Sequence, residues 1–221
     1  MKMDASRSSN LAIVGAGGHA SSVWAVATAA GYNTIAFVDR WNLKASLFGI
    51  QIIPSLSNIG KDCPFSVAIA VGDNSVRQRI FEELTTEFQH LVFPIIRHPS
   101  SVLEAGAHVG AGTVLMPMSI VGANTNIGRF CILNTRSSVD HDCSVSDFAS
   151  LAPGATTGGR VSIGTRSAIS IGSVVRHAVM IGDDVVVGAA SYVNSDIIEP
   201  CVAYGTPARR IRTRKRGDAY L

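Results

Sequence analysis

The sequence predicts a two-part chain, a small Rossmann-like α/β domain followed by a left-handed parallel β-helix of about five coils. Two observations carry this prediction. From Leu103 to Val193 every sixth residue is aliphatic without an insertion, fifteen positions of sixteen, with Thr157 the exception. An amphipathic helix requires period 3.6 and a half-buried strand period 2, so a strict period of six matches hexapeptide β-helix repeats. Ahead of it, the apolar run LAIV (11–14), the glycine turn GAGGHA (15–20) and a helical apolar stretch make a strand, turn and helix in series. The expected domains are residues 1–97 (Rossmann-like), 98–206 (β-helix) and 207–221 (a basic C-terminal tail).

In the first domain, the helix after the glycine turn stops at Gly31 and a second apolar run, TIAFVD, ends on Asp39. Gly15, Gly17 and Ala20 fit G-x-G-x-x-G/A, and Asp39 stands 19 residues beyond Ala20, the spacing of an acid that meets a ribose hydroxyl. Small residues belong there because backbone N–H groups must approach an anion closely at a helix N-terminus. A tight turn without ligand gives the same pattern. A third strand, SVAIAV (66–71), runs into a helix capped by Asp73 or Asn74, with Val76, Ile80 and Leu84 on one face. Ligands of open parallel sheets bind at the carboxyl ends of the strands, which groups Gly17, Gly18, His19, Asp39, Gly72 and Asn74 into one candidate pocket. A fourth run, LVFPIIRHP, completes about four strands, half of a dinucleotide-binding sheet, so a nucleotide joined to something other than nicotinamide is favoured.

In the second domain a further phase of each hexad, from Ala107 to Ser191, holds only small or β-branched residues, and Gly often follows the aliphatic one, as at 110, 122, 128, 158, 164, 182 and 188. Three hexads make one triangular coil, with the aliphatic residue filling the prism, the small one at the crowded corner and Gly expected to support the turns. The flat faces of such a prism are most readily buried by threefold association.

Bulk properties narrow the partners. Six basic residues, Arg209, Arg210, Arg212, Arg214, Lys215 and Arg216, cluster at the end, leaving 13 basic side chains elsewhere against 16 acidic ones in the whole chain. The net charge of +3 therefore belongs to the tail and gives no reason to expect nucleic acid. No stretch reaches the length of a membrane span and the start lacks a signal peptide, so a cytoplasmic protein is expected. Cys63, Cys131, Cys143 and Cys201 show no CxxC pairing and read as core thiols.

His141 occupies the third position of its hexad, outside both core phases, and is flanked by Asp140 and Asp142. Taken alone this is either a solvated cluster or an outward-facing base whose imidazole a carboxylate orients. His177 follows two coils later, about 10 Å away by strand spacing, and His108 lies in another phase, so no metal is expected. The glycine-turn start, the hexads, the segment ILNTRSSVDHDCSVSDFASLAPGA, the pair Gly158 and Gly159, and the ending AYGTPARRI together resemble the NeuD/PglD-type bacterial sugar acyltransferases over nearly the whole chain.

That resemblance implies a homotrimer, acetyl-CoA as co-substrate between adjacent β-helices, and a nucleotide-linked amino sugar held by the first domain. It places the catalytic pair at His141 and Asp142. Substrate contacts fall at Gly17, Gly18, His19, Asp39, Arg40, Gly72, Asp73, Asn74 and Asn134, and acetyl-CoA contacts at Ser150, Gly159, Ile171, Ala189, Pro207 and Arg209. The expected reaction is N-acetylation of a 4-amino-4,6-dideoxy sugar by direct attack on the thioester, with the Gly159 N–H the candidate oxyanion donor. O-acylation of a sugar hydroxyl, as on sialic acid, and a non-catalytic nucleotide-sugar-binding trimer are the alternatives.

Overall fold

The computed structural model describes residues 9–42, 44–60 and 64–219; Cys63 lies outside them. Strand β1 (Asn10–Val14), helix α1 (Gly18–Ala29) and strand β2 (Asn33–Val38) follow in the expected order, with α1 ending before Gly31 at φ 86°. A hairpin of β3 (Ser46–Leu47) and β4 (Ile50–Ile53) comes next, then β5 (Ser66–Ile69) and helix α2 (Asn74–Glu87). The sheet order is β3-β4-β2-β1-β5, parallel except for the β3–β4 pair. Leu11, Ala12 and Ile13 are wholly buried at its centre. The chain runs from β1 toward β2 on one side and returns to β5 on the other, so a crevice opens between the β1 and β5 carboxyl ends.

The fourth parallel strand differs from expectation: β4 supplies it, not the run LVFPIIRHP. Pro94 in that run has no N–H to give a ladder, and the run's hydrogen bond to the sheet is at the Val92 carbonyl, accepting from the Val67 N–H at 2.9 Å. Its later half, β6 (Ile96–Arg97), is already the first rung of the β-helix, pairing with Val114–Leu115. Arg97 stands at the aliphatic phase and hides the rung from the repeat, its guanidinium turned to Ser101 at 2.8–2.9 Å.

The left-handed β-helix stacks coils in which residue i pairs with residue i+18, as in Ile120↔Ser138 and Ser138↔Thr156. Three faces result. The first carries strands beginning at Ile96, Val114, Ile132, Ser150, Ala168 and Val186, the second at Val102 through Tyr192, and the third at His108 through Met180. From Leu115 onward the aliphatic phase is buried in every coil. The small phase is buried too, and its hydroxyls stitch coils together. Thr113 donates to the Gly128 carbonyl at 2.8 Å and accepts from the Cys131 N–H at 3.0 Å, a pattern repeated by Thr125, Ser167 and Ser173.

Glycine after the aliphatic residue does not make the turns. The left-handed residue lies two positions later, and is usually not glycine: Asn124, Phe130, Arg136, Asp142, Phe148, Arg160 and Arg166 all have φ between 54° and 60°. The glycines are small for another reason. A Cβ at Gly110 or Gly122 would come within 2.6 Å of the next coil's backbone. The expected tail is likewise ordered through Thr213, where Ala208–Thr213 pairs antiparallel with Cys201–Gly205 and extends the first face.

The two domains share a seam. Phe81 and Phe93 of the first pack on Phe130 and Phe148, which stack at 5.2 Å on consecutive coils. Arg77, 1% exposed, donates to the Phe130 and Phe148 carbonyls at 2.8 and 2.9 Å and to Val71 and Gly72 of its own domain. This seam fixes the N-terminal crevice relative to the prism.

Candidate active site

The corner after Ser138–Val139 gathers the catalytic candidates. The His141 N–H donates to Asp140 Oδ1 at 2.7 Å, which fixes the backbone. His141 Nδ1 meets Asp142 Oδ2 at 2.7 Å, with both side chains 48% exposed. Asn124, one coil below, donates to the other Asp142 oxygen at 3.3 Å. The hydrogen bond to Asp142, then the charge of Asp140, raise the His141 pKa above its ordinary value. The same bond, then that from Asn124, lower the Asp142 pKa. Nδ1 is thereby the protonated nitrogen and Nε2 the basic one.

Gly159 lies directly above His141. A Cβ there would strike His141 Nε2 and come within 2.5 Å of Cε1. Only glycine leaves room for the imidazole in this position. On the lower coils of this corner the N–H groups are taken, Ala123 by Glu104 and His141 by Asp140, whereas the Gly159 N–H has no partner among the described residues. A basic nitrogen and an unclaimed donor therefore lie side by side. Cys143 is no nucleophile: it is 2% exposed, its thiol contacts the His141 and Gly158 carbonyls, and burial raises its pKa. Cys131 and Cys201 are also buried, and burial pushes the Cys131 thiol up to about 12.

Asn134 stands at the opposite corner of the same face, its amide on the Leu151 carbonyl at 3.2 Å. Ile171, Ala189 and Pro207 lie at that first-to-second-face corner too, in coils above Asn134, with Ile171 61% exposed. Arg209 is exposed on the closing strand. Ser150 is buried on the first face, away from the His141 corner. Within one chain, then, His141, Asp142 and Gly159 come together, and the remaining expected acetyl-CoA residues do not join them.

In the first domain the residues expected at the strand ends differ in their local surroundings and duties. Gly17 and Gly18 face open space, so packing does not require them to be small. Helix α1 starts there with neither a side-chain cap nor an acid in its first turn, which leaves its positive end available to an anion. His19 is the second residue of α1, and burial, then the Arg77 charge, lower its pKa to about 4, so it is neutral near pH 7. Its Nε2 has no hydrogen-bond partner among the described residues.

One expectation, Asn74, requires correction, and Asp39 carries a structural duty as well. The Asp39 carboxylate is occupied by backbone, accepting from Ala16 at 3.1 Å, Trp41 at 3.0 Å and Asn42 at 3.2 Å. It ties the loop after β2 to the glycine turn, with help from Asn42, whose amide donates to the Ala16 carbonyl at 3.1 Å. Asn74 is wholly buried and donates to the Arg166 and Ser167 carbonyls, so it joins the domains. Asp73 caps α2 through the Val76 N–H at 2.9 Å, and Gly72 offers its carbonyl to Arg77 at 3.0 Å. Arg40 is exposed, its guanidinium 5.1 Å from the Trp41 ring centroid. Asn124, Asn42 and Trp41 had not been singled out, although Asn124 is found by counting one coil back from Asp142.

Among the described residues no helix is long and apolar enough to cross a membrane, and no three His, Cys, Asp or Glu side chains cluster as metal ligands. Residues 10–84 match the family model of the PglD N-terminal domain. The chain is similar to the acetyltransferase domain of PglB from Neisseria gonorrhoeae in complex with acetyl coenzyme A: 30% identity, 92% of this chain and 100% of that one covered, TM-score 0.86. It is also similar to a histidine-to-alanine variant of GDP-perosamine N-acetyltransferase from Caulobacter crescentus, in complex with CoA and GDP-perosamine (29% identity, 91% and 96% covered, TM-score 0.85). WeeI from Acinetobacter baumannii gives 25% identity, 91% and 99% coverage, and a TM-score of 0.83. No curated protein sequence matches the chain.

Proposed function

We propose, from the premise that the chain belongs to the NeuD/PglD-type bacterial sugar acyltransferases, that it moves the acetyl group of acetyl-CoA onto the amine of a nucleotide-linked amino-deoxysugar. A 4-amino-4,6-dideoxy sugar is the first candidate. One observation carries the reading: an imidazole held through Nδ1 by Asp142 presents Nε2 beside the unclaimed N–H of Gly159. That the similar Caulobacter enzyme is an N-acetyltransferase bound to CoA and GDP-perosamine supports an amine acceptor and acetyl-CoA as donor.

The sugar amine attacks the thioester carbonyl carbon while Nε2 of His141 takes its proton. The tetrahedral oxyanion accepts a hydrogen bond from the Gly159 N–H. Collapse breaks the carbon–sulfur bond, and the imidazolium returns the proton to the CoA thiolate, giving amide and free thiol. Asp142 holds the tautomer and stabilises the imidazolium between the two transfers.

The expected acetyl-CoA contacts at Ile171, Ala189 and Pro207 stand one corner away from His141, which supports an active site shared between copies. A threefold assembly sets the first-to-second corner of one chain beside the second-to-third corner of the next. The second face between them carries the exposed apolar side chains Val102, Ile120 and Val174.

The test supplies acetyl-CoA with UDP-, GDP- and dTDP-linked amino sugars and with their hydroxyl counterparts, and follows thiol release. Release with an amino sugar is expected, reduced about 10²- to 10⁴-fold in His141→Asn. Absence of release with every amino sugar ends the N-acetylation reading; release with hydroxyl sugars alone replaces it with O-acylation. Undiminished turnover by the variant removes His141 as base.

A further inference from the structure

We infer that Trp41 is the stacking platform on which the nucleobase of the nucleotide-linked sugar rests, an inference that depends on the proposed function. Trp41 is 80% exposed, more than any other large hydrophobic side chain among the described residues. The loop that carries it is nevertheless anchored. Asp39 accepts the Trp41 and Asn42 N–H groups with one oxygen and the Ala16 N–H with the other, and Asn42 returns a bond to the Ala16 carbonyl. The backbone under the indole is thus fixed to the turn where Gly17 and Gly18 leave open space before α1.

Position and chemistry agree. In open parallel sheets a nucleotide lies across the carboxyl ends of the strands with its phosphates at the first helix N-terminus. Phosphates beside Gly17 and Gly18 send the nucleoside toward the end of β2, where Trp41 stands. The Arg40 guanidinium lies 5.1 Å from the indole centroid, covering one face and leaving the other to a planar ring. A neutral aromatic surface stacks on any base, so Trp41 contributes affinity without reading which base is present.

The chain has two tryptophans, and Trp24 is stacked on Phe48 at 4.0 Å, so Trp24→Phe leaves Trp41 as a single fluorescent reporter. UDP, GDP and dTDP are expected to quench that protein, and inorganic pyrophosphate, lacking a base, is not. By calorimetry Trp41→Ala weakens all three nucleotides about 10-fold or more, and Trp41→Phe recovers most of the loss. In turnover the change falls on KM for the nucleotide sugar and not on KM for acetyl-CoA. Unchanged nucleotide affinity in Trp41→Ala overturns the inference and leaves the proposed function standing. If no nucleoside diphosphate binds the native protein and no nucleotide sugar is acetylated, the proposed function fails and takes the inference with it.

Discussion

Two adjacent glycines make opposite predictions. The atoms nearest a Cβ on Gly159 all belong to the His141 ring, with Cε1 at 2.5 Å and Cδ2 at 3.0 Å, where ordinary contact begins near 3.4 Å. The imidazole must retreat by about 1 Å, and a misplacement of that size costs about 10²-fold in rate. The ring is half exposed and swings away without disturbing the coil, so the melting temperature of Gly159→Ala stays near native, within about 0.5 kcal/mol of stability. A Cβ on Gly158 instead meets backbone, His177 N at 2.9 Å and Cα at 3.2 Å. That backbone is held on either side, the Arg176 N–H on the Val193 carbonyl and the Ala178 N–H on the Gly159 carbonyl, and cannot swing, so Gly158→Ala loses about 1–3 kcal/mol, about 2–4 °C per kcal/mol. Thiol-release kinetics and thermal melts on both variants are the assay. Full kcat/KM in Gly159→Ala shows that the imidazole need not stand where it does; a melt lowered as far as that of Gly158→Ala shows that the clash is with the coil.

The Asp142 contact predicts a pH dependence. His141 works as a base only when neutral, and its pKa is raised chiefly by the hydrogen bond to Asp142, so kcat rises with pH through a value above the ordinary histidine range. Asp142→Asn moves that rise to lower pH and lowers the plateau by about 10-fold or more as the tautomer is lost; an unmoved profile refutes the role given to Asp142. The seam makes a stability prediction. Arg77→Met leaves the Phe130 and Phe148 carbonyls buried without their donor, at a cost of about 3–5 kcal/mol, read as a lower melting temperature and earlier proteolysis between the domains. A native-like melt refutes the seam.

The β-helix core was legible from sequence because a coil of 18 residues assigns every phase one direction, and side-chain size then reports that direction. Leu133, Val139 and Ser137 each turn inward as their phase requires. The seam was not legible. Phe130 and Phe148 sit at the same outward corner phase as the exposed Arg136, and the helix that carries Arg77 and Phe81, with Phe93 beyond it, makes them interior. Asp39 was legible in position and not in its structural duty, since sequence spacing reports where a carboxylate stands and not how many backbone N–H groups reach it. The glycines were misjudged for a related reason: close approach of the next coil and a left-handed φ both select glycine, and a one-dimensional pattern does not distinguish them.

The His141–Asp142 pair itself depends on the corner. Along a strand, neighbouring side chains point to opposite faces, so adjacent residues do not meet and an imidazole cannot bond the carboxylate that follows it. At the corner Asp142 takes φ 56°, which breaks the alternation and brings Oδ2 to 2.7 Å from Nδ1. Asn and Asp are the residues, besides glycine, that tolerate this conformation most readily. Asn124 takes it one coil below at φ 57°, and its amide reaches the same carboxylate. The same phase also holds residues as different as Phe130, Arg160 and Ala178, so the fold accepts a short polar side chain there without demanding one, and such a side chain is the kind able to orient an imidazole. A catalytic pair at a β-helix corner therefore stays within what the repeat already allows: one histidine before the left-handed position, an acid in it, and a glycine above.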